Sequence, residues 1–242
     1  MKTLKISIIL FVLLGLNSCK KGGLVCYREN GEVTTETRNV EGFTKISMST
    51  QADLYIQQGP TNSVEVEASS NLQEIITTTV KSNTLDIDLK KGKCLKGNPS
   101  IKVYVTAPSI EALNHSGSGN IYAYHQITSS SMDLTISGSG NMRLDSLSAQ
   151  TIAAKISGSG NIDLKGKDTS DNLSATLSGS GNITALELPV NIATVNVSGS
   201  GNCKLLVKQQ LKANISGSGD VLYSGNPIID SSVSGSGSVR PY

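Results

Sequence analysis

A four-residue block, Ser-Gly-Ser-Gly, occurs seven times, starting at Ser116, Ser137, Ser157, Ser178, Ser198, Ser216 and Ser234. Successive starts are 21, 20, 21, 20, 18 and 18 residues apart. A near-constant period of about 20 residues marks a solenoid, whose single turns cannot bury a core alone and must stack on their neighbours. The residue after each block is Asn120, Asn141, Asn161, Asn182 and Asn202, then Asp220 and Ser238.

The residues flanking the blocks decide between strand and helix. Immediately before them stand His115, Ile136, Ile156, Leu177, Val197, Ile215 and Val233, and two positions earlier Leu113, Leu134, Ala154, Ala175, Val195, Ala213 and Ser231. The residues between are Asn114, Thr135, Lys155, Thr176, Asn196, Asn214 and Ser232, all polar. After Asn the pattern resumes, with Ile121, Met142, Ile162, Ile183, Cys203, Val221 and Val239, then Ala123, Leu144, Leu164, Ala185, Leu205 and Tyr223 two further on. This is period-two alternation, the signature of a half-buried strand. The expected architecture is an all-β parallel β-helix (β-solenoid) of ~20-residue coils.

The apolar positions on either side of a block are six residues apart, an even number. Alternation therefore runs through the block, which predicts both glycines inward and both serines and the Asn outward. Inward glycine implies a coil that is narrow or sharply bent there. Coils stacked at about 4.8 Å would align the outward residues into ladders. The candidate surface ladder is Ser116, Ser118, Asn120, Ser137, Ser139, Asn141, Ser157, Ser159, Asn161, Ser178, Ser180, Asn182, Ser198, Ser200 and Asn202. Such ladders can hydrogen-bond along the stack, a structural role, or form a recognition surface. The links Lys165-Gly166-Lys167-Asp168 and Glu187-Leu188-Pro189-Val190 read as corners.

The preceding segment, 38–109, is β-rich but less regular. Lys45-Ile46-Ser47-Met48, Asp53-Leu54-Tyr55-Ile56, Ser63-Val64-Glu65-Val66-Glu67, Thr84-Leu85-Asp86-Ile87-Asp88-Leu89 and Ile101-Lys102-Val103-Tyr104-Val105 alternate, separated by turn residues. Asn71 to Thr79 reads as a short helical turn. No linker separates this part from the first block, so it is read as continuous with the regular solenoid of 110–242.

The N-terminus reads as an address. Lys2 and Lys5 precede an apolar run from Ile6 to Leu16, too short for the ~20 residues of a membrane span and right for a signal-peptide core. Leu16-Asn17-Ser18-Cys19 resembles a bacterial lipobox, which implies cleavage after residue 18 and lipid attachment at Cys19. Residues 19–37 then form the lipidated cysteine and a linker. The expected location is the cell envelope, lipid-anchored and at the outer membrane, with the membrane as a partner through the N-terminal lipid. That compartment permits disulfides, and Cys26 and Cys94 could pair. Cys203 takes an inward slot and reads as a buried thiol.

Composition narrows the chemistry. A net charge of +2 argues against nucleic acid as a partner. Two His and no Trp make a zinc enzyme or an aromatic sugar-binding site hard to assemble, and the Tyr are too dispersed for a stacking platform. The outward stripe Tyr122, Arg143, Asp163, Thr184, Lys204 and Leu222 holds the best cluster for polysaccharide cleavage, with Asp145 nearby. It lacks the second aligned carboxylate a glycosidase needs. The Gly-Ser-Gly-Asn series also lacks the carboxylates of a nine-residue calcium roll. No catalytic residue, metal site or cofactor is predicted.

Arg38-Asn39-Val40-Glu41-Gly42-Phe43-Thr44-Lys45-Ile46, Asp53-Leu54-Tyr55-Ile56-Gln57-Gln58-Gly59, Leu85-Asp86-Ile87, Val103-Tyr104-Val105-Thr106-Ala107-Pro108 and the Ser-Gly-Ser-Gly-Asn series together resemble the auto-transporter adhesin, head GIN domain family. The resemblance spans about residues 38–238. It implies a right-handed β-helix in a secreted or lipid-anchored envelope protein, and brings no catalytic or binding residues with it. The expectation is a non-enzymatic, adhesin-like protein making contacts through its solenoid face, toward a glycan or an envelope protein, with a homo-oligomer as a further option. The alternative is a polysaccharide-binding or polysaccharide-degrading β-helix.

Overall fold

The structure, a computed structural model, describes residues 23–242. The leader, the proposed lipidation site Cys19 and the start of the linker lie outside the described residues.

From Ala112 onward the chain is a parallel β-solenoid. Each block joins a strand ending just before it to one beginning just after its Asn or equivalent, as in Ile127–Ile136 followed by Met142–Leu144, or Leu147–Ile156 followed by Ile162–Lys165. The coils stack in the register that the alternation requires: Leu134 beside Ala154, Ile136 beside Ile156, Met142 beside Ile162, and Ile183 beside Cys203. These inward residues are buried and form one continuous core. The blocks occupy equivalent places on successive turns.

The glycines have a different cause from the one expected. The second glycine of each coil from Gly119 to Gly219 is buried and the first is half-buried. None of the block glycines lies in the left-handed region. A Cβ built on Gly140 would overlap the carbonyl oxygen of Gly119, and one on Gly181 that of Gly160. The missing side chain would therefore point along the stack, at the backbone of the preceding coil, rather than into a narrow bore. Glycine lets adjacent backbones approach closely enough for Ser139 and Gly140 N–H to donate to Gly117 O at 3.1 and 3.3 Å.

The first half contributes coils in an order that the sequence does not follow. Lys45–Met48 pairs in parallel with both Thr84–Leu89 and Ala112–His115, and Asp53–Gln58 pairs in parallel with both Lys102–Ala107 and Ile121–Ala123. The coil at residues 45–58 is thus clasped between one made of 84–107 and the first block-bearing coil. Three pairings are antiparallel: Ser63–Ser69 on Lys102–Ala107, Ile76–Lys81 on Thr84–Leu89, and Val33–Thr37 on Ser63–Ser69. They cover the sheet edges that the first coil would leave open, and Leu72, Ile75 and Ile76 close the core beneath them. Two coils of this segment thus stack in parallel on the solenoid, and the antiparallel strands form a cap over them.

Two local expectations are corrected. The helical turn spans only Ser70–Gln73, and the Thr-rich stretch after it is the strand Ile76–Lys81, where β-branched residues fit the pleated sheet. Lys165–Asp168 does turn, but Glu187–Val190 lies inside the long strand Ile183–Val197. There the irregularity between Ala185 and Pro189 absorbs the proline in place of a corner.

Candidate functional site

The clasped coil brings together residues far apart in sequence. Tyr55 has Tyr104 as its register partner on one side and Tyr122 on the other. All three occupy outward slots of alternating strands, so the sheet spacing stacks their rings. Tyr55 lies 5.2 Å from Tyr104 and 5.3 Å from Tyr122, with interplanar angles of 20° and 25°. Tyr124, one outward position beyond Tyr122, lies 5.6 Å from it at 15° and is 52% exposed. A dispersed set of tyrosines was the expectation; the fold gathers four of the seven in the sequence into one cluster. The signal for it was Tyr in the polar slot of three separate alternating strands, but only the non-sequential stacking makes those slots adjacent.

A cleft of about 180 Å³ opens beside this stack, and Tyr55, Tyr104, Tyr124, His125, Gln57 and Thr106 are among the residues that line it. Gln57 Nε2 donates to Thr106 Oγ1 at 3.0 Å. Partial burial raises the pKa of Tyr55, Tyr104 and Tyr122 above the ordinary phenol value, with Asp53 adding to the shift at Tyr55 and Tyr122 and Glu67 at Tyr104. These phenols stay protonated at neutral pH and offer both donors and acceptors.

Two ion pairs flank the cluster. Lys102 Nζ donates to Glu67 Oε1 at 2.8 Å, which raises the lysine's pKa, and Tyr104 Oη donates to Glu67 Oε2 at 3.4 Å. On the other side Arg143 Nε donates to Asp145 Oδ1 at 2.8 Å. The outward stripe forms as the sequence indicates, with Tyr122, Arg143, Asp163, Thr184, Lys204 and Leu222 in successive register. Arg143, however, spends its guanidinium on Asp145, and Asp163 has Arg143 and Thr184 as register neighbours rather than a second carboxylate. Among the described residues no cluster of three His, Cys, Asp or Glu could hold a metal ion.

The block residues divide into two classes. The asparagines form a directional ladder: Nδ2 of Asn141, Asn161, Asn182 and Asn202 each donates to Oδ1 of the preceding Asn, at 2.9, 2.8, 2.9 and 3.3 Å. Their backbone N–H groups donate to the same oxygens. Asp53 heads the ladder, accepting from both N–H and Nδ2 of Asn120 at 3.0 and 2.9 Å. Asp220 ends it, accepting from Ser238 N and Oγ and from Arg240, which lowers its pKa. The serines stay exposed: Ser116, Ser118, Ser137, Ser139, Ser157, Ser159, Ser178, Ser180, Ser198 and Ser200 line two outward columns. Ser116 Oγ donates to Ser49 Oγ at 3.1 Å and Ser198 Oγ reaches Leu177 O at 3.5 Å, but no hydroxyl-to-hydroxyl chain runs between the blocks among the described residues. Asparagine thus clips coil to coil, while serine is a small polar surface.

The remaining reactive side chains are structural. His115 is buried, with Nδ1 3.1 Å from Met48 O and Nε2 2.7 Å from Gly119 O. Cys26 and Cys94 form a disulfide between the paired strands Val25–Arg28 and Lys93–Lys96. Cys203 is fully buried, which pushes its thiol up to about 12.

Residues 42–227, more than three quarters of the chain, match the sequence family described as "Putative auto-transporter adhesin, head GIN domain". The chain belongs to this family. Three solved structures share the fold. A "putative adhesin" of Bacteroides fragilis NCTC 9343 is 25% identical, with a TM-score of 0.85, covering 89% of this chain and 100% of that one. A "putative lipid binding protein" of Parabacteroides distasonis ATCC 8503 is 25% identical, with a TM-score of 0.75, covering 90% of this chain and 100% of that one. A "putative adhesin" of the same organism, at 24% identity and a TM-score of 0.71, covers 89% of this chain and 99% of that one. No curated protein matches the sequence. Among the described residues, no helix of this head GIN domain protein is long and apolar enough to cross a membrane.

Proposed function

We propose that the protein is a non-enzymatic, adhesin-like contact protein of the cell envelope, tethered through lipid on Cys19 and working through the outer face of its solenoid. The observation that carries the reading is the tyrosine-bearing face. Four tyrosines stand together on the sheet, the flanking cations Lys102 and Arg143 are paired internally, and the neighbouring stripe offers Asp163 without the partner acid that glycoside hydrolysis requires. Clustered aromatics on a rigid support suit binding, because they present a large area at little cost in side-chain entropy. Membership of the adhesin family and the names of two related structures support the same reading.

The envelope location is tested by labelling cells with a palmitate analogue. Label should appear on the parent protein and vanish in Cys19→Ala. Protease treatment of intact cells should then remove the protein. Adhesion of cells to a host or biofilm surface should fall when the gene is deleted and return when it is restored. Adhesion indifferent to deletion would refute the contact role.

A further inference from the structure

The contact reading leaves the ligand open, and the tyrosine cleft has a definite chemistry. It is small, about 180 Å³, below the ~300–1,000 Å³ of sites that engulf a drug-sized molecule. Its walls are aromatic, and its interior carries uncharged hydrogen-bonding groups. Gln57 uses Nε2 on Thr106 Oγ1, leaving Oε1 without a partner among the described residues. The nearby cations are already matched: Lys102 with Glu67 and Arg143 with Asp145. An anionic ligand would have to break an ion pair to gain a cation.

Resting on the contact reading above, we propose that this cleft binds a single ring of a neutral polysaccharide. The ring's C–H face would lie against Tyr124 and the edge of the Tyr55–Tyr104 stack, and its hydroxyls would bond to Gln57 Oε1 and the phenols. Tyrosine suits this task, being an apolar plate with a polar tip. A ligand held one ring at a time binds weakly. A polymer with many identical rings, facing many copies of a surface-displayed protein, gains its strength from multiplicity. The coil spacing makes the platform rigid, so little ordering is required on binding.

The test uses the purified protein with its disulfide intact. Neutral polysaccharides (glucan, mannan, xylan and galactan) and acidic ones (alginate and polygalacturonate) are compared by affinity electrophoresis and calorimetry. Tyrosine fluorescence is a direct probe, since the chain has no Trp. The expected result is binding to at least one neutral polymer. Tyr124→Ala should weaken it at least about tenfold and Gln57→Ala roughly threefold to tenfold, with unchanged melting temperature because both side chains are exposed at the surface.

Four results would overturn the proposal: no neutral polymer binds; only acidic ones bind; binding ignores both substitutions; or the cleft takes only phosphatidylcholine vesicles, the occupant suggested by the lipid-binding relative. If cells carrying Tyr124→Ala still adhere like the parent while deletion abolishes adhesion, the ligand assignment fails and the contact role stands. If deletion leaves adhesion intact, the contact role itself fails.

Discussion

The close approach of stacked backbones at the glycine column is tested directly by Gly181→Ala. A Cβ at this position would overlap Gly160 O, and would stand 2.9 Å from Gly160 C and 3.1 Å from Ile156 Cγ2. The first two obstacles are backbone and cannot swing aside. Ordinary contact returns only if the two coils separate locally by on the order of 1 Å. Three backbone N–H groups of this block and its Asn donate across the junction: Ser178 N to Ile156 O at 2.9 Å, Ser180 N to Gly158 O at 3.1 Å, and Asn182 N to Asn161 Oδ1 at 3.0 Å. Lengthened by that much, they cease to be hydrogen bonds. At about 1 kcal/mol each they account for about 3 kcal/mol. Residual overpacking brings the expected loss to about 3–5 kcal/mol.

The assay is urea unfolding followed by far-ultraviolet circular dichroism, with thermal melting as a second measure. For a chain of this size the loss corresponds to roughly 6–20 °C in Tm. Two controls separate close approach from other reasons for glycine. Ser180→Ala changes the adjacent, exposed residue and should stay within about 0.5 kcal/mol of the parent. Gly97 has φ +84° and nothing within 4 Å of a built Cβ, so Gly97→Ala should cost only the ~1–2 kcal/mol of left-handed backbone strain. The predicted order of damage is Gly181→Ala, then Gly97→Ala, then Ser180→Ala. A Gly181→Ala protein within 1 kcal/mol of the parent would refute the argument, because an overlap with backbone cannot be that cheap.

Other outcomes follow from the same structure. Asn161→Ala breaks the ladder on both sides and should cost about 1–2 kcal/mol in urea unfolding, while Asn161→Asp, which keeps the acceptor for Asn182, should cost less. Replacing Cys26 and Cys94 by Ser opens a closure of 68 residues, and should lower stability by up to about 4 kcal/mol, with the cap melting first in hydrogen exchange. Cys203, with its thiol pushed up to about 12 by burial, should resist a thiol reagent at pH 8 in the native protein and react fully in denaturant. Asp220 has a folded pKa below its ordinary value, chiefly through Ser238 and then Arg240. Its stabilising effect is therefore present above the unfolded pKa and lost as pH falls through the folded one. Melting temperature should drop below about pH 4 in the parent, and Asp220→Asn should remove part of that acid dependence.

Much of the solenoid was legible in the sequence because a stacked coil repeats its constraints. Each turn needs an inward residue at the slots of Ile136 and Met142, a polar residue between, and glycine where backbones meet, so the pattern is written seven times. The reason for the glycines was not legible, because alternation says which side of the strand a residue faces, and the block glycines face a neighbour along the axis. The antiparallel cap was also hidden. Its strands Ser63–Ser69 and Ile76–Lys81 alternate like the others, and periodicity carries no information about strand direction.

The tyrosine cluster and the head of the asparagine ladder were missed for one shared reason. Both depend on the coil at residues 45–58 sitting between segments that follow it in sequence. A solenoid read in chain order places Tyr55 far from both Tyr104 and Tyr122. The observed order makes it the register partner of each, and the same insertion puts Asp53 beneath Asn120. Asp53 serves as an acceptor at the position where a preceding Asn would otherwise be required, so the ladder starts with its first donors satisfied. Two residues along the same strand, Tyr55 joins the stack. One non-sequential coil therefore both closes the start of the hydrogen-bonded ladder and assembles the aromatic face. Loss of its clasped position should disturb both together: a substitution that loosens Asp53–Gln58, such as Leu54→Ala in the buried core, should reduce tyrosine-ring packing and protection of the Asn120 amide in the same variant. Loss of one without the other would separate two features that the topology joins.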